Sequence, residues 1–176
     1  SFYCDRYDGL MAKRNPTSEE QYQIEQNKLF FKILSLCHDT VVEHSEAGTK
    51  FSASNPDDEA LVAAAAYFGQ CFADRQDKFV KHISKDSSGK GTECRIEMLS
   101  SIKFTSKRKR MSVIIRDTDN KIKLLMKGAD TMMMARIRKE DHAEKLPTTM
   151  KHVEDFSGEG LRCLLLGWRE ISESEY

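Results

Sequence analysis

Long apolar runs, a surplus of charge of either sign and closely spaced cysteines are all missing from this sequence. The longest stretch without a charged residue is Ala60–Ala73, fourteen residues, whereas a membrane-crossing helix needs roughly 20 apolar residues. No transmembrane helix is expected. The 28 Lys and Arg residues are matched by 28 Asp and Glu, for a formal net charge of zero, which excludes a strongly basic protein that coats nucleic acid. Cys4, Cys37, Cys71, Cys94 and Cys163 are odd in number, widely spaced and without a C-x-x-C pair. Neither a disulfide framework nor a four-thiolate zinc site is indicated, and reduced thiols are the expectation. The amino terminus carries Asp5, Arg6 and Asp8 in place of an apolar segment, so it does not read as a secretory signal. A first residue of Ser rather than Met suggests a piece excised from a longer chain.

Catalytic signatures are missing too. There is no G-x-x-x-x-G-K-[ST] phosphate loop, no G-x-G-x-x-G after a strand, no H-E-x-x-H and no G-x-S-x-G, which removes the commonest nucleotide, zinc-protease and hydrolase motifs. His38, His44, His82, His142 and His152 show no metal-ligand spacing, and His38, beside Cys37 at a helix end, reads as structural.

What remains is an ordinary globular composition, 39% hydrophobic and 32% charged over 176 residues, about the size of one domain. Thr17 and Glu20 fit a capping box, and Phe30, Ile33, Leu34 and Cys37 recur at helical spacing, which predicts a helix over Ser18–Cys37 with one face on a sheet. Asn55-Pro56-Asp57-Asp58 combines a cap, a first-turn proline and carboxylates at the positive end of the dipole. A helix from Pro56 to about Gln70 follows, its Ala63–Ala66 run allowing close approach to neighbouring backbone. Phe79–Ile83 and the alternation through Cys94, Ile96 and Met98 predict strands, with Ser84–Thr92 a flexible loop between them. Met111–Arg116 and Ile122–Lys127, joined at Asp117–Asn120, predict an antiparallel hairpin. Helices are expected at Thr131–Lys139, opened by Thr131 as a cap, and at Thr148–Asp155. A last apolar strand, Leu161–Trp168, is expected near the middle of the sheet. The order predicts an α+β fold, a mainly antiparallel twisted sheet of about six or seven strands flanked by helices. Residues 1–16 match no motif and are read as extended or linker-like.

Three segments carry chemistry. Phe104–Val113 places an aromatic ring, the hydroxyls of Thr105 and Ser106 and four consecutive cations, Lys107–Arg110, just before a strand. A purine can stack on the ring while cations meet its phosphates; a solvated charge run or a nuclear-localisation patch is the competing reading. Lys127-Gly128-Ala129-Asp130 closes the hairpin, and its glycine permits close approach of a ligand to the backbone. Gly158–Leu164 places Arg162 at the entrance to an apolar strand, where either a ligand or a surface ion pair would satisfy it.

Taken in order, Asn55–Val62, Phe104–Val113, Lys127–Asp130 and Gly160–Leu164 resemble the nucleotide-binding domain of P-type ATPases. Leu36-Cys37-His38, the run Arg108–Val113, Asp130 and Arg169–Tyr176 are similar to the phospholipid-transporting branch, the lipid flippases. The resemblance runs from about Leu29 to Tyr176. It implies that Phe104 stacks on adenine, that Lys127 lines the adenine end of the pocket with Gly128 beside it, and that Lys109 and Arg162 reach toward ribose and phosphates. Aligned without a gap, Asp58 takes the place of the family's adenine-facing Glu and Glu59 falls where Ala or Gly is usual, so either carboxylate is a candidate. Ser106 and Met111 flank the ring as secondary contacts, Met111 reading equally well as core.

The family's phosphorylated Asp lies in an Asp-Lys-Thr-Gly motif, whereas the only Asp-Lys here, Asp77-Lys78, continues with Phe79. The resemblance therefore implies residues 1–176 as a single cytosolic ATP-binding domain of an integral membrane translocase. It further implies that the nucleophile and the Mg²⁺ ligands lie outside this chain. Its partners would be ATP, the phosphorylation and actuator domains of the same polypeptide and an accessory subunit, with no nucleic acid and a monomeric isolated domain. Alone it would bind ATP and not hydrolyse it. The alternatives are the same domain of a cation pump, a basic-patch module for nucleic acid, and a pure interaction domain.

Overall fold

The computed structural model describes residues 4–45, 48–53, 55–86, 88–138, 140 and 145–176. The expected Lys139 helix end, His142 and Ser87 lie outside them. The amino-terminal segment is not linker-like: Asp5–Met11 forms a helix, α1. Tyr7 fastens it, its ring edge-on to Phe31 and Phe68 and its hydroxyl donating to the Phe68 carbonyl at 2.9 Å.

Helix α2, Ser18–Leu36, begins at the expected capping box, with Glu20 N donating to Thr17 Oγ1 at 3.3 Å and Thr17 N to Glu20 Oε2 at 3.0 Å. It buries Ile24, Ile33, Leu34 and Leu36. Phe30, expected on that face, is 47% exposed, and it is Phe31 that stacks on Phe68, 4.5 Å between centroids. Two short strands missed as a pair, β1 Val41–Ser45 and β2 Gly48–Ser52, form a separate antiparallel hairpin. Helix α3, Pro56–Tyr67, is capped by Asn55, whose Oδ1 accepts from Asp57 N at 3.1 Å. It stops short of Gln70 because Gly69, at φ 87°, takes a left-handed conformation that residues with a side chain rarely adopt, and turns the chain into a strand. That strand, β3 Gln70–Gln76, is not expected from its polar composition.

Strands β3, β4 (Phe79–Lys85), β5 (Gly91–Ile102), β6 (Arg110–Arg116), β7 (Ile122–Gly128) and β8 (Leu165–Ile171) lie side by side in chain order, each pair antiparallel. The expected loop from Ser84 to Thr92 shrinks, because Ser84 pairs with Thr92 and Lys85 with Gly91. What is left is knit by Asp86 Oδ1, which accepts from Ser88 N and Oγ and from Lys90 N. The last strand is corrected in two ways: it starts at Leu165, and it occupies an edge of the sheet. Apolar density alone does not place a strand; Leu161, Leu164 and Trp168 of that run are exposed. Between β7 and β8, α4 is only Asp130–Met134, begun one residue before the expected Thr131 cap, and α5 is Leu146–Gly158, longer than expected at both ends. Pro147 in its first turn has a φ already suited to a helix.

One face of the sheet carries the main core: Phe72, Val80, Ile96, Met98, Met111, Val113, Ile115 and Leu125 close against Ile33, Leu36 and Cys37 of the α2 end and Val62 of α3. That packing brings the first turn of α3 to the Gly128 end of β7.

Candidate functional site

Lys127 pairs in register with Met111 on β6 and Leu166 on β8, which turns its side chain to the core face. Only 5% of the residue is exposed. Its Nζ donates to Asp58 Oδ1 at 2.7 Å, and Asp58, in the first turn of α3, is itself 7% exposed. A carboxylate there is favoured by the helix dipole, and a buried ammonium needs such a partner. Glu59, the alternative carboxylate, stays partly exposed. Close by, burial pushes the Cys37 thiol up to about 12, with Lys127 pulling weakly the other way.

The residue before Asp58 holds the second cation. Arg162 Nη1 donates to Asp57 Oδ2 at 2.6 Å, with 76% of the arginine side chain exposed. Arg162 lies ahead of β8 rather than at its entrance, and the ion pair anticipated as an alternative is present. Asp57 was not singled out from the sequence; the signal was the doubling of the carboxylate after Asn55-Pro56, two adjacent side chains fanning from one helix turn to two cations.

Phe104 stands on the turn between β5 and β6, 58% exposed. Lys109, on the same turn, is left-handed at φ 50°, its N–H donating to the Thr105 carbonyl at 2.7 Å. Its carbonyl accepts from Ala129 N at 3.0 Å, so the turn is fastened two residues beyond Lys127. Gly128 makes that approach possible: a Cβ there would meet Arg110 Cβ, lie 2.7 Å from the Lys109 carbonyl oxygen and 2.8 Å from Arg110 Cα. The glycine is thus required by the chain's own backbone. Of the secondary candidates, Ser106 is exposed and Met111, 2% exposed, belongs to the core. The four cations divide: Lys107 and Lys109 face solvent, while Arg108 and Arg110 turn onto backbone carbonyls.

Phe104 and Lys109 therefore share one turn, that turn is bonded to the end of β7, and Lys127 and Arg162 are both held by the first turn of α3. A planar ring in solvent with cations on adjoining segments suits an aromatic base with an anionic tail. His38 and His82 are held in the core. His38 Nδ1 accepts from Thr40 N at 3.0 Å, leaving its Nε2–H to donate to the Ser35 carbonyl at 2.8 Å. His82 is engaged by Ser35 Oγ and Cys94 Sγ. Burial pushes both imidazoles down to about 4. A cleft of about 460 Å³ between residues 38–42, β3 and β5, lined by Leu36, Phe72, Met98, Ser101 and Lys103 among others, contains none of the nine candidate residues.

Residues 26–176 match the family model described as P-type ATPase, cytoplasmic domain N. The chain belongs to that family, and the match begins three residues before the resemblance noted at Leu29. The relatives named next are phospholipid-transporting ATPases. The chain is 38% identical over 173 residues to "Phospholipid-transporting ATPase DRS2" of Saccharomyces cerevisiae, covering 97% of the chain and 12% of that protein. It is 40% identical over 151 residues to "Probable phospholipid-transporting ATPase 4" of Arabidopsis thaliana and 39% over 148 to "Phospholipid-transporting ATPase ID" of Homo sapiens, each covering 84% of the chain and 12% of the relative. The chain thus spans about an eighth of the length of the curated relatives it matches. Among the described residues no helix is long and apolar enough to cross a membrane.

Proposed function

We propose that this chain is the ATP-binding domain of a phospholipid-transporting P-type ATPase, lying on the cytosolic side of the membrane. The observation that carries the reading is the exposed Phe104 ring on a turn hydrogen-bonded to the end of β7, next to Lys127 and Gly128. Adenine would stack on Phe104, with Lys127 and its partner Asp58 at the base end, and Lys109 and Arg162 would meet ribose and phosphates. Arg162 would exchange the Asp57 carboxylate for a phosphate oxygen, one anion for another, in a position open to solvent.

The chain's contribution to phosphoryl transfer would be positioning, which can supply much of the barrier reduction in that chemistry. It would present the γ-phosphate to an Asp on a separate phosphorylation domain of the same polypeptide, with the actuator domain and an accessory subunit as further partners and phospholipid moved toward the cytoplasmic leaflet. Mg²⁺, when bound with ATP, supplies charge neutralisation. Among the described residues no group of three or more His, Cys, Asp or Glu is arranged to hold an ion, and none is assigned to it. One stacked base and a few solvent-exposed charge contacts net roughly 4 to 6 kcal/mol, a sub-millimolar to millimolar affinity that lets nucleotide leave in each cycle.

An NMR titration of the labelled 176-residue chain with ATP, GTP and AMP, repeated on Phe104→Ala, tests this. Saturable shifts around Phe104, Lys127 and Arg162 with adenine nucleotides, weaker with GTP and lost in the variant, are expected. No response at several times ~1 mM would transfer the reading to an interaction domain.

A further inference from the structure

Arg108 stands in the middle of the run that reads as phosphate-binding cations, yet its guanidinium is turned onto the protein. The two hydrogens of Nη1 are shared among the carbonyls of Ile102 at 2.9 Å, Lys103 at 2.7 Å and Arg110 at 3.1 Å, and Nη2 donates to Ser112 Oγ at 3.2 Å. These acceptors lie at the two ends of the Phe104 turn: Ile102 closes β5, Arg110 opens β6, and Ile102 pairs in register with Ser112, whose side chain is buried. The side chain therefore ties the base of the turn together. The main chain of the same residue adds a fifth bond, Arg108 N donating to Thr105 Oγ1 at 3.1 Å.

Only arginine does this. A planar group with five donors can serve several carbonyls at once, whereas an ammonium is a compact point charge that reorganises around water. The carbonyls also supply what the neighbours withhold, because Lys107, Lys109 and Arg110 are all positive, and a cation among them gains from oxygen lone pairs.

We propose that Arg108 is the positioning residue of the nucleotide site: it does not meet phosphate but holds the turn so that the Phe104 ring and Lys109 face a ligand together. The proposal rests on the nucleotide reading given above. A held turn binds more tightly because less freedom is lost when the base stacks.

The test compares Arg108→Lys with the wild-type chain, using ATP and adenosine as probes. The lysine keeps the charge and loses the planar set of donors. Arg108→Lys is expected to weaken ATP and adenosine by the same factor, roughly five- to tenfold, as loss of pre-organisation does. In the nucleotide-free variant the Lys109 amide, bonded to Thr105 in the wild type, should lose its protection against hydrogen exchange while Val113 and Leu125 amides keep theirs. Undiminished adenosine binding, a loss confined to ATP, or an unchanged Lys109 amide overturns the positioning role and leaves the nucleotide site standing. If wild type binds neither probe, the nucleotide reading fails and takes this proposal with it. Should the lysine variant lose the sheet as well, Ser112→Ala removes one of the four side-chain bonds. A smaller, equal loss for both probes is then expected, and an unaltered affinity for both counts against the proposal.

Discussion

The Nζ of Lys127 lies 2.7 Å from Oδ1 of Asp58, a contact between the end of β7 and the first turn of α3 in which both residues are almost wholly withdrawn from solvent. Sixty-nine positions separate them, so the pair spans the main core and reports on its closure. Breaking such a pair from one side leaves a buried charge without a partner, which costs far more than the intact pair contributes.

Asp58→Asn is accordingly expected to destabilise the chain by about 3–5 kcal/mol, the usual range for one half of a buried pair. Replacing both residues together, as Asp58→Asn with Lys127→Met, should recover a large part of that loss. Urea unfolding of the four chains of this cycle gives the coupling directly, and additive losses would show that the two charges act independently.

Arg162 and Lys109 behave in the opposite way, because both are open to solvent. Arg162→Ala should leave the unfolding midpoint nearly unchanged and weaken ATP by roughly two- to fivefold at low salt, an effect that fades at high ionic strength. The stack on Phe104 carries no net charge, so Phe104→Ala should lose affinity equally at both salt concentrations. Calorimetric titration with ATP at two ionic strengths separates the behaviours.

Asp117 links α2 to the β6–β7 turn, accepting from Lys32 at 2.6 and 2.8 Å and from Lys123 at 2.7 Å. Burial would raise its pKa, but the two ammonium groups outweigh burial and hold it down to about 2. A carboxyl depressed in the folded state stabilises above its unfolded pKa, near 4, and that stability drains as pH falls toward the folded value. About 2 kcal/mol is expected to disappear between roughly pH 4 and pH 2. Asp117→Asn should flatten this limb of the stability profile, measured by chemical unfolding across that range; a variant with the wild-type acid limb would assign it to other carboxylates.

Gly128→Ala places a methyl group against Arg110 and the Lys109 carbonyl. Overpacking of this sort costs about 1–3 kcal/mol, and here it also pushes the Phe104 turn off β7. The expected result is a lowered unfolding midpoint together with loss of the Lys109–Ala129 bond, seen as faster exchange of the Ala129 amide. A stable variant with that amide still protected would show that the sheet end can yield.

Much of this was written locally. Thr17 with Glu20 and Asn55 with Pro56 announced helix starts because the groups that satisfy a helix end lie within a few residues of it. The β6–β7 hairpin was legible for the same reason, its alternation and its turn being neighbours in sequence. The order of four short motifs was enough to assign the family, which the match over residues 26–176 then established. Pairing across the chain was not legible. Gln70–Gln76 became a strand only because Phe79–Lys85 lies beside it, and Leu165–Ile171 took its place beside Ile122–Gly128 because pairing, not apolar content, sets strand order. The sequence of Lys107–Arg110 likewise announced four positive charges without saying where they point; that Arg108 turns onto three carbonyls while Lys107 and Lys109 face solvent depended on the return of β6 alongside β5. Composition and local spacing are sums over neighbours in the chain and were available from the sequence itself. The Lys127–Asp58 and Arg162–Asp57 pairs join residues brought together only when the core packs, and only the tertiary structure decided them.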